Sequence, residues 1–212
     1  MQGVVADNNR QEYGTHYRKV AAGQKPLAPP LKIEAQFAPP HPGRQEVVLL
    51  GSAGQRIITA GEILCLAGLT AGLQTTQKNE YNITVLRGPS ISELILSPEE
   101  IDYTGIEKPS AIVALDQEGV IRRRTMFDHL EEDTLVVQID GVEIPPCRAQ
   151  IHGVDLKALG IKKPDWALAS LAILANQGRI TSLEMLSAAL KIRFKGKVLE
   201  RSLALIQKAG AF

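Results

Sequence analysis

Aromatic residues are scarce in this chain: 4% of 212 residues, with one tryptophan, four tyrosines and four phenylalanines. A core with so few rings has to pack through Leu, Ile, Val and Ala, and the 44% apolar content is enough for one. Cysteine is scarcer still. Cys65 and Cys147 lie far apart with no CxxC pair, which excludes a disulfide framework and leaves no run of ligands for an iron–sulfur cluster. Both thiols are expected to be reduced, in a cytoplasmic protein. No apolar run reaches the length of a membrane span, so none is predicted. Residues 1–14 lack the apolar core of a signal peptide. An excess of one charge is also missing: 24 Lys and Arg stand against 23 Asp and Glu. That balance argues against a nucleic-acid or membrane surface. His16, His41, His129 and His152 are scattered along the chain, and a metal site built from them is disfavoured.

What is present falls into two unequal parts. Residues 1–45 are polar and then proline-rich, with the run KPLAPPLKIEAQFAPPHPGR. Proline fixes φ and removes a backbone donor, so helix or central strand is not expected there. Tyr13, Tyr17, Leu31, Ile33 and Phe37 give the stretch something to bury. It reads as an extended arm for subunit contact, with a loose tail as the alternative.

From residue 46 onward, strand-like and helix-like pieces alternate. The continuously apolar run at 47–50 reads as a buried strand. A helix is predicted over 59–69, despite Gly61 and Gly68. Strands are predicted at 82–86, 91–96, 111–115 and 134–139, with a mixed helical stretch between the last two that reaches about residue 130. Helices are predicted at 165–176, 182–192 and 197–208, with Gly178 and Gly210 as stops and Thr181 and Glu184 at capping-box spacing. The 165–176 helix is apolar on most faces and is therefore expected to be buried, with Trp166 as its anchor. The pattern implies a three-layer, Rossmann-like α/β domain at 46–212, with a helical C-terminal portion.

The most informative segment is EVVLLGSAGQRIITAGE at 46–62. It carries a strand into a turn and then a helix start, where backbone N–H groups suit an anion or a partner's backbone. Gly51 and Gly54 permit close approach, Ser52 and Gln55 offer hydrogen bonds, and Arg56 offers a positive charge. The plain alternative is a strand–helix turn in which Ser52 and Gln55 satisfy local backbone groups. The fingerprint GxGxxG is absent, because Ala53 and Arg56 occupy its third and sixth positions. An acidic residue to hold a nicotinamide ribose is also missing, so independent NAD binding is disfavoured. Arg87 and Gly88 form a second candidate, since a guanidinium forks onto carboxylates and phosphates. Asp116 ends a strand and is expected to cap the following helix. The run Arg122, Arg123 and Arg124 reads as a solvated face or docking patch. Cys65 reads as inert core. No catalytic residue is nominated.

Together these residues resemble the gamma subunit, or gamma domain, of the 2-oxoacid:ferredoxin oxidoreductases of the pyruvate, indolepyruvate and phenylglyoxylate type. The family's GxGGQG turn and Thr-Ala helix are matched by Gly51, Gly54, Gln55, Thr59 and Ala60. Its Arg-Gly-Gly segment is matched by Arg87 and Gly88, with Pro89 in place of the second glycine. Residues 109–119 resemble its strand ending in ALxxEA, and the tail resembles its C-terminal helices, with Ser202, Leu205 and Gly210 keeping a remnant of the last pattern. The resemblance implies a subunit, inactive alone, of a complex that oxidatively decarboxylates a 2-oxoacid to an acyl-CoA. It implies alpha, beta and ferredoxin-like delta partners, with thiamine diphosphate, Mg and [4Fe–4S] clusters held in other chains and a flavoprotein as a further electron-transfer partner. By the same resemblance, Gly51, Ser52, Gly54, Gln55, Arg56, Arg87 and Gly88 hold partner loops or CoA phosphates. The competing readings are a free-standing Rossmann-like nucleotide- or CoA-binding protein and a non-enzymatic scaffold.

Overall fold

A six-stranded mixed sheet organises the chain, in the order β2-β3-β1-β4-β5-β6. The structure, a computed structural model, describes residues 33–81 and 87–211. The strand expected at 82–86 and most of the Pro-rich arm lie outside the described residues. The strands are β1 (Gln45–Ser52), β2 (Gln74–Tyr81), β3 (Pro89–Ser97), β4 (Ala111–Ala114), β5 (Leu135–Ile139) and β6 (Gln150–Val154). The helices are α1 (Ile57–Thr70), α2 (Gln117–Arg122), α3 (Trp166–Asn176), α4 (Leu183–Arg193) and α5 (Gly196–Ala209). Short 3-10 turns cover Arg124–His129 and Lys163–Asp165. β1 runs parallel to β4, β4 to β5 and β5 to β6, while β3 pairs antiparallel with β1 and β2.

β1 is buried along its whole length, which explains its unbroken apolar run: both of its faces are covered. Gly51 faces Gln55 and Ile57 at the start of α1. Ser92, the register partner of Leu49, lies against Gly61 of the same helix. This face of the sheet therefore carries α1, with α3 and α4 packed on α1, and α5 packed on those two. Glu93, the partner of Val48, meets Arg123 on the opposite face, beside α2. The layering expected from sequence is present, with most of the helical mass on one side.

The two glycines inside α1 mark close approach to the sheet. A Cβ at Gly61 would collide with Gln77 and Ser92, and one at Gly68 with Leu96 and Thr75. Gly119 of α2 is tighter still, since its Cβ would lie 2.5 Å from the Gly51 nitrogen and 2.6 Å from the Leu50 carbonyl carbon. Backbone cannot rotate away as a side chain can. Gly119→Val is therefore expected to cost about 3 kcal/mol in urea unfolding, and an unchanged midpoint would show that α2 lifts freely.

Several boundaries differ from expectation for clear reasons. β2 and β6 carry little apolar signal because both are edge strands, held by pairing on one side only. The cap of α4 is Ser182, whose hydroxyl accepts from the Met185 N–H at 3.3 Å, rather than Thr181, which is buried. Residues 33–44, assigned from sequence to the arm, lie on the domain itself: the Gln36 and Phe37 N–H groups donate to the Thr70 carbonyl at 2.7 and 3.1 Å. Phe37 packs partly buried against the core. Trp166 anchors α3 as expected, with its indole N–H donating to the Ile161 carbonyl at 2.9 Å.

Candidate functional site

β1, β4, β5 and β6 all end at one edge of the sheet. The chain leaves β1 through α1 toward β2 and β3, and leaves β4 through α2 toward β5. β1 and β4 therefore flank the point where the winding reverses, the usual ligand crevice of an open α/β sheet.

Here the chain's own groups bond to one another beside that crevice. Gln55 is only 1% exposed. Its Oε1 accepts from the Ser52 N–H at 2.7 Å and from the Ser52 hydroxyl at 3.4 Å, and its Nε2 donates to the Leu115 carbonyl at 3.2 Å. Gly51 makes room for this, because a Cβ there would lie 2.7 Å from Gln55 Oε1. Asp116 caps α2 through the Glu118 N–H at 3.2 Å and pairs with Lys163 Nζ at 2.8 Å. Partial burial opposes ionisation of Asp116, yet Lys163, the Glu118 N–H and the Ser52 hydroxyl together hold its carboxyl below the ordinary 3.8. A carboxylate with a depressed pKa stabilises the fold above that ordinary value and loses the contribution as pH falls below it. Asp116→Asn should lower stability at neutral pH and flatten its fall in acid. Parallel acid unfolding curves for the two proteins would contradict this.

Arg56 ends the turn in the left-handed region, at φ 56°, the one non-glycine residue with positive φ among the described residues. Its guanidinium reaches away from the sheet to Asp165 Oδ1 at 3.0 Å, and Arg201 holds the other oxygen at 2.6 Å. Relief of the left-handed strain should offset the loss of an exposed ion pair. Arg56→Gly is thus expected to leave stability within about 1 kcal/mol, whereas Arg56→Val should cost about 2 kcal/mol. Thermal unfolding of the pair checks the order, and equal losses would rule out strain as the cause.

The two turns nominated from sequence meet. Ser52 pairs with Pro89 at the end of the β1–β3 ladder, and the Ala53 N–H donates to the Gly88 carbonyl at 3.0 Å. Gly88 takes φ 93°. Of the seven candidate residues, Gly51, Ser52 and Gln55 are buried inside the junction, while Gly54, Arg56 and Arg87 are exposed and Gly88 is half-buried.

The arginine run is used internally. Arg122 and Arg123 both hold Glu80 on β2, and Arg123 also holds Glu93 at 3.1 Å. The Arg123 guanidinium beside Glu80 is the main reason that its carboxyl sits below the usual range. Only Arg124 of the three makes no ion pair among the described residues. Burial pushes the Cys65 thiol up to about 11, the opposite of what a nucleophile needs. Among the described residues, no three His, Cys, Asp or Glu side chains converge as a metal site, and no helix is long and apolar enough to cross a membrane.

Sequence reasoning missed Lys163, Asp165 and Arg201, which fasten the β1 and β4 turns to the helical portion. For Lys163 and Asp165 the only local signal is the KPD triplet ahead of an apolar helix. It also missed a cleft of about 430 Å³ between α1, α3 and α5, which has Arg56 on its rim.

Fold and site thus define a doubly wound α/β domain in which Ser52, Gln55 and Asp116 bond within the chain where the winding reverses, while Gly54, Arg56 and Arg87 are exposed. The chain belongs to the pyruvate ferredoxin/flavodoxin oxidoreductase family, whose model matches residues 46–212, and within it is of the gamma subunit or domain type. It is 35% identical over 101 residues to the 2-oxoglutarate synthase subunit KorC of Methanothermobacter marburgensis, covering 47% of this chain and 53% of that one. It is 38% identical over 77 residues to the KorC of Methanocaldococcus jannaschii, covering 36% and 41%. The chain thus spans about half the length, or less, of these curated relatives. Among solved structures, the gamma subunit of a keto/oxoacid ferredoxin oxidoreductase from Geobacter sulfurreducens shares the fold with a TM-score of 0.66 at 22% identity, over 80% of this chain and 95% of that one. The 2-oxoglutarate:ferredoxin oxidoreductase of Magnetococcus marinus, with 2-oxoglutarate, coenzyme A and succinyl-CoA bound, gives 0.67 at 18% identity, over 80% and 31%.

Proposed function

We propose that this chain is the gamma-type subunit of a thiamine diphosphate-dependent, iron–sulfur 2-oxoacid oxidoreductase that converts a 2-oxoacid to an acyl-CoA. The observation that carries this reading is how this domain of the family uses its polar groups where the winding reverses: Gln55 bonds inward to the Ser52 N–H and the Leu115 carbonyl, and Asp116 pairs with Lys163, which leaves those groups engaged within the chain. The same observation counts against the independent binding protein.

The family resemblance assigns thiamine diphosphate, Mg and [4Fe–4S] clusters to the alpha, beta and ferredoxin-like delta partners, and among the described residues no three His, Cys, Asp or Glu side chains converge to hold a metal. Coenzyme A, when bound, supplies the thiol that takes the acyl group. This chain's part is positional: Gly54, Arg56, Arg87 and Gly88 present backbone and guanidinium groups to CoA phosphates or partner loops. Gly51, Ser52 and Gln55 hold that edge in shape. The Pro-rich arm fastens the subunit to its complex, and the reading carries a cytoplasmic location with it. The relatives' names make 2-oxoglutarate the first 2-oxoacid to assay.

The test is anaerobic native purification from cells that express the neighbouring subunits, with mass spectrometry of bound proteins and cofactors. Larger subunits, thiamine diphosphate and clusters are expected, with 2-oxoacid oxidation by the complex and none by the isolated chain. A wild-type chain that purifies alone sinks the reading. Removing residues 1–32, which leaves the domain Ile33–Phe212 whole, should weaken assembly, and normal assembly would rule out the arm's role.

A further inference from the structure

The cleft between α1, α3 and α5 has an apolar floor and a basic rim. Ile63, Leu168, Phe194 and Leu205 line it, and Arg56, Lys197 and Arg201 stand around it. The one acidic residue in the lining is Asp165, which Arg56 and Arg201 already share. Lys197 has no ion-pair partner among the described residues. The excess continues along the chain: residues 191–201 carry Lys191, Arg193, Lys195, Lys197 and Arg201 against one acid, Glu200, and of these Arg193 is neutralised by Glu62 at 3.0 Å, in a protein whose net charge is only +1. The apolar lining reaches the surface at Val198 on α5, which is 56% exposed.

A volume of about 430 Å³ between helices, with apolar lining that reaches the surface, suits side chains projecting from an extended or helical segment. Charge complementarity selects among such segments. A basic one would be repelled, and a neutral one would leave Lys197 without a partner. We propose that this groove docks an acidic, amphipathic segment of a partner subunit. Its apolar side chains enter between Leu168, Phe194 and Leu205, and its carboxylates pair with Lys197 and with the outer faces of Arg56 and Arg201. The inference rests on the subunit reading above and adds to it a surface and the chemistry of what covers it.

The test places a photo-crosslinking amino acid at Val198 of the full chain in cells that express the native neighbours. Crosslinked peptides are sequenced, and retention in the complex is measured for K197E/V198D and for R124E as a charge-reversal control outside the groove. Both altered residues of the double variant are exposed, so its thermal unfolding should match wild type. Expected are crosslinks to a partner segment rich in Asp or Glu with interspersed apolar residues, at least tenfold weaker retention of K197E/V198D, and no change for R124E. With the complex intact, no crosslink at Val198, a crosslink to a second copy of this chain or to a segment without acids, or equal loss in R124E overturns the groove while leaving the subunit reading in place. A wild-type chain without larger partners overturns both.

Discussion

Phe127→Ala is expected to destabilise the domain by about 3–5 kcal/mol, the cost of a cavity left by a fully buried ring. Phe127 is 1% exposed and heads the group of largest fully buried side chains. It sits in the 3-10 turn Arg124–His129, in the connection that carries the chain from β4 to β5. α2 supplies only Gly119 and Val120 as buried residues, so a single ring does much of the filling in this crossover. A chain with 4% aromatic content has few other rings that can move into the hole. Typical domains have about 5–15 kcal/mol in all, so the variant should lie near its unfolding threshold. Phe127→Leu should cost under about 1.5 kcal/mol, because most of the volume is kept. Urea unfolding with an unchanged slope measures both. A loss below about 1 kcal/mol for alanine would mean that the 3-10 turn collapses onto the sheet without strain.

Gln55→Leu should cost about 2–4 kcal/mol, because it strands two buried backbone groups at once: the Ser52 N–H and the Leu115 carbonyl. The shape of the side chain is roughly kept, so the loss reports the hydrogen bonds. Gln55→Glu separates them further. It keeps the acceptor for Ser52 but turns an oxygen toward the Leu115 carbonyl, so its stability should fall as pH rises and the new carboxyl ionises. Here the two sequence-level readings of the turn give opposite results. If Gln55 served mainly a ligand, Gln55→Leu would unfold with the wild type and change only binding. A loss of stability in the isolated chain places Gln55 among the residues that build the junction, leaving Gly54, Arg56, Arg87 and Gly88 for contact.

The strands that sequence revealed are those the fold covers on both faces. VVLL at 47–50 and AIVA at 111–114 read as strands because every side chain there needs an apolar neighbour. QTTQKNEY and QIHGV were not legible, since edge strands owe their conformation to the ladder beside them. The glycines of α1 looked like weaknesses in a helix and prove to be its contact points with Gln77, Ser92, Thr75 and Leu96. Arg122 and Arg123 looked solvated because their partners, Glu80 and Glu93, are about 30–40 residues earlier in the chain.

The candidate site divides in the same way. Local sequence was enough to mark Gly51–Arg56 and Arg87–Gly88 as turns, because glycine and strand-end chemistry act over a few residues. That the two turns touch was decided by the antiparallel register that sets Ser52 opposite Pro89. That Gln55 faces inward was decided by the parallel pairing of β1 with β4, which brings the Leu115 carbonyl to its amide. The clasp of Arg56 by Asp165 joins residues 109 positions apart. By itself the sequence determined what depends on neighbours in the chain: buried strands, helix starts and turn residues. The tertiary structure alone decided which of those turns share an edge and which of their polar groups remain free, because each depends on partners that only the folded sheet brings within hydrogen-bond distance.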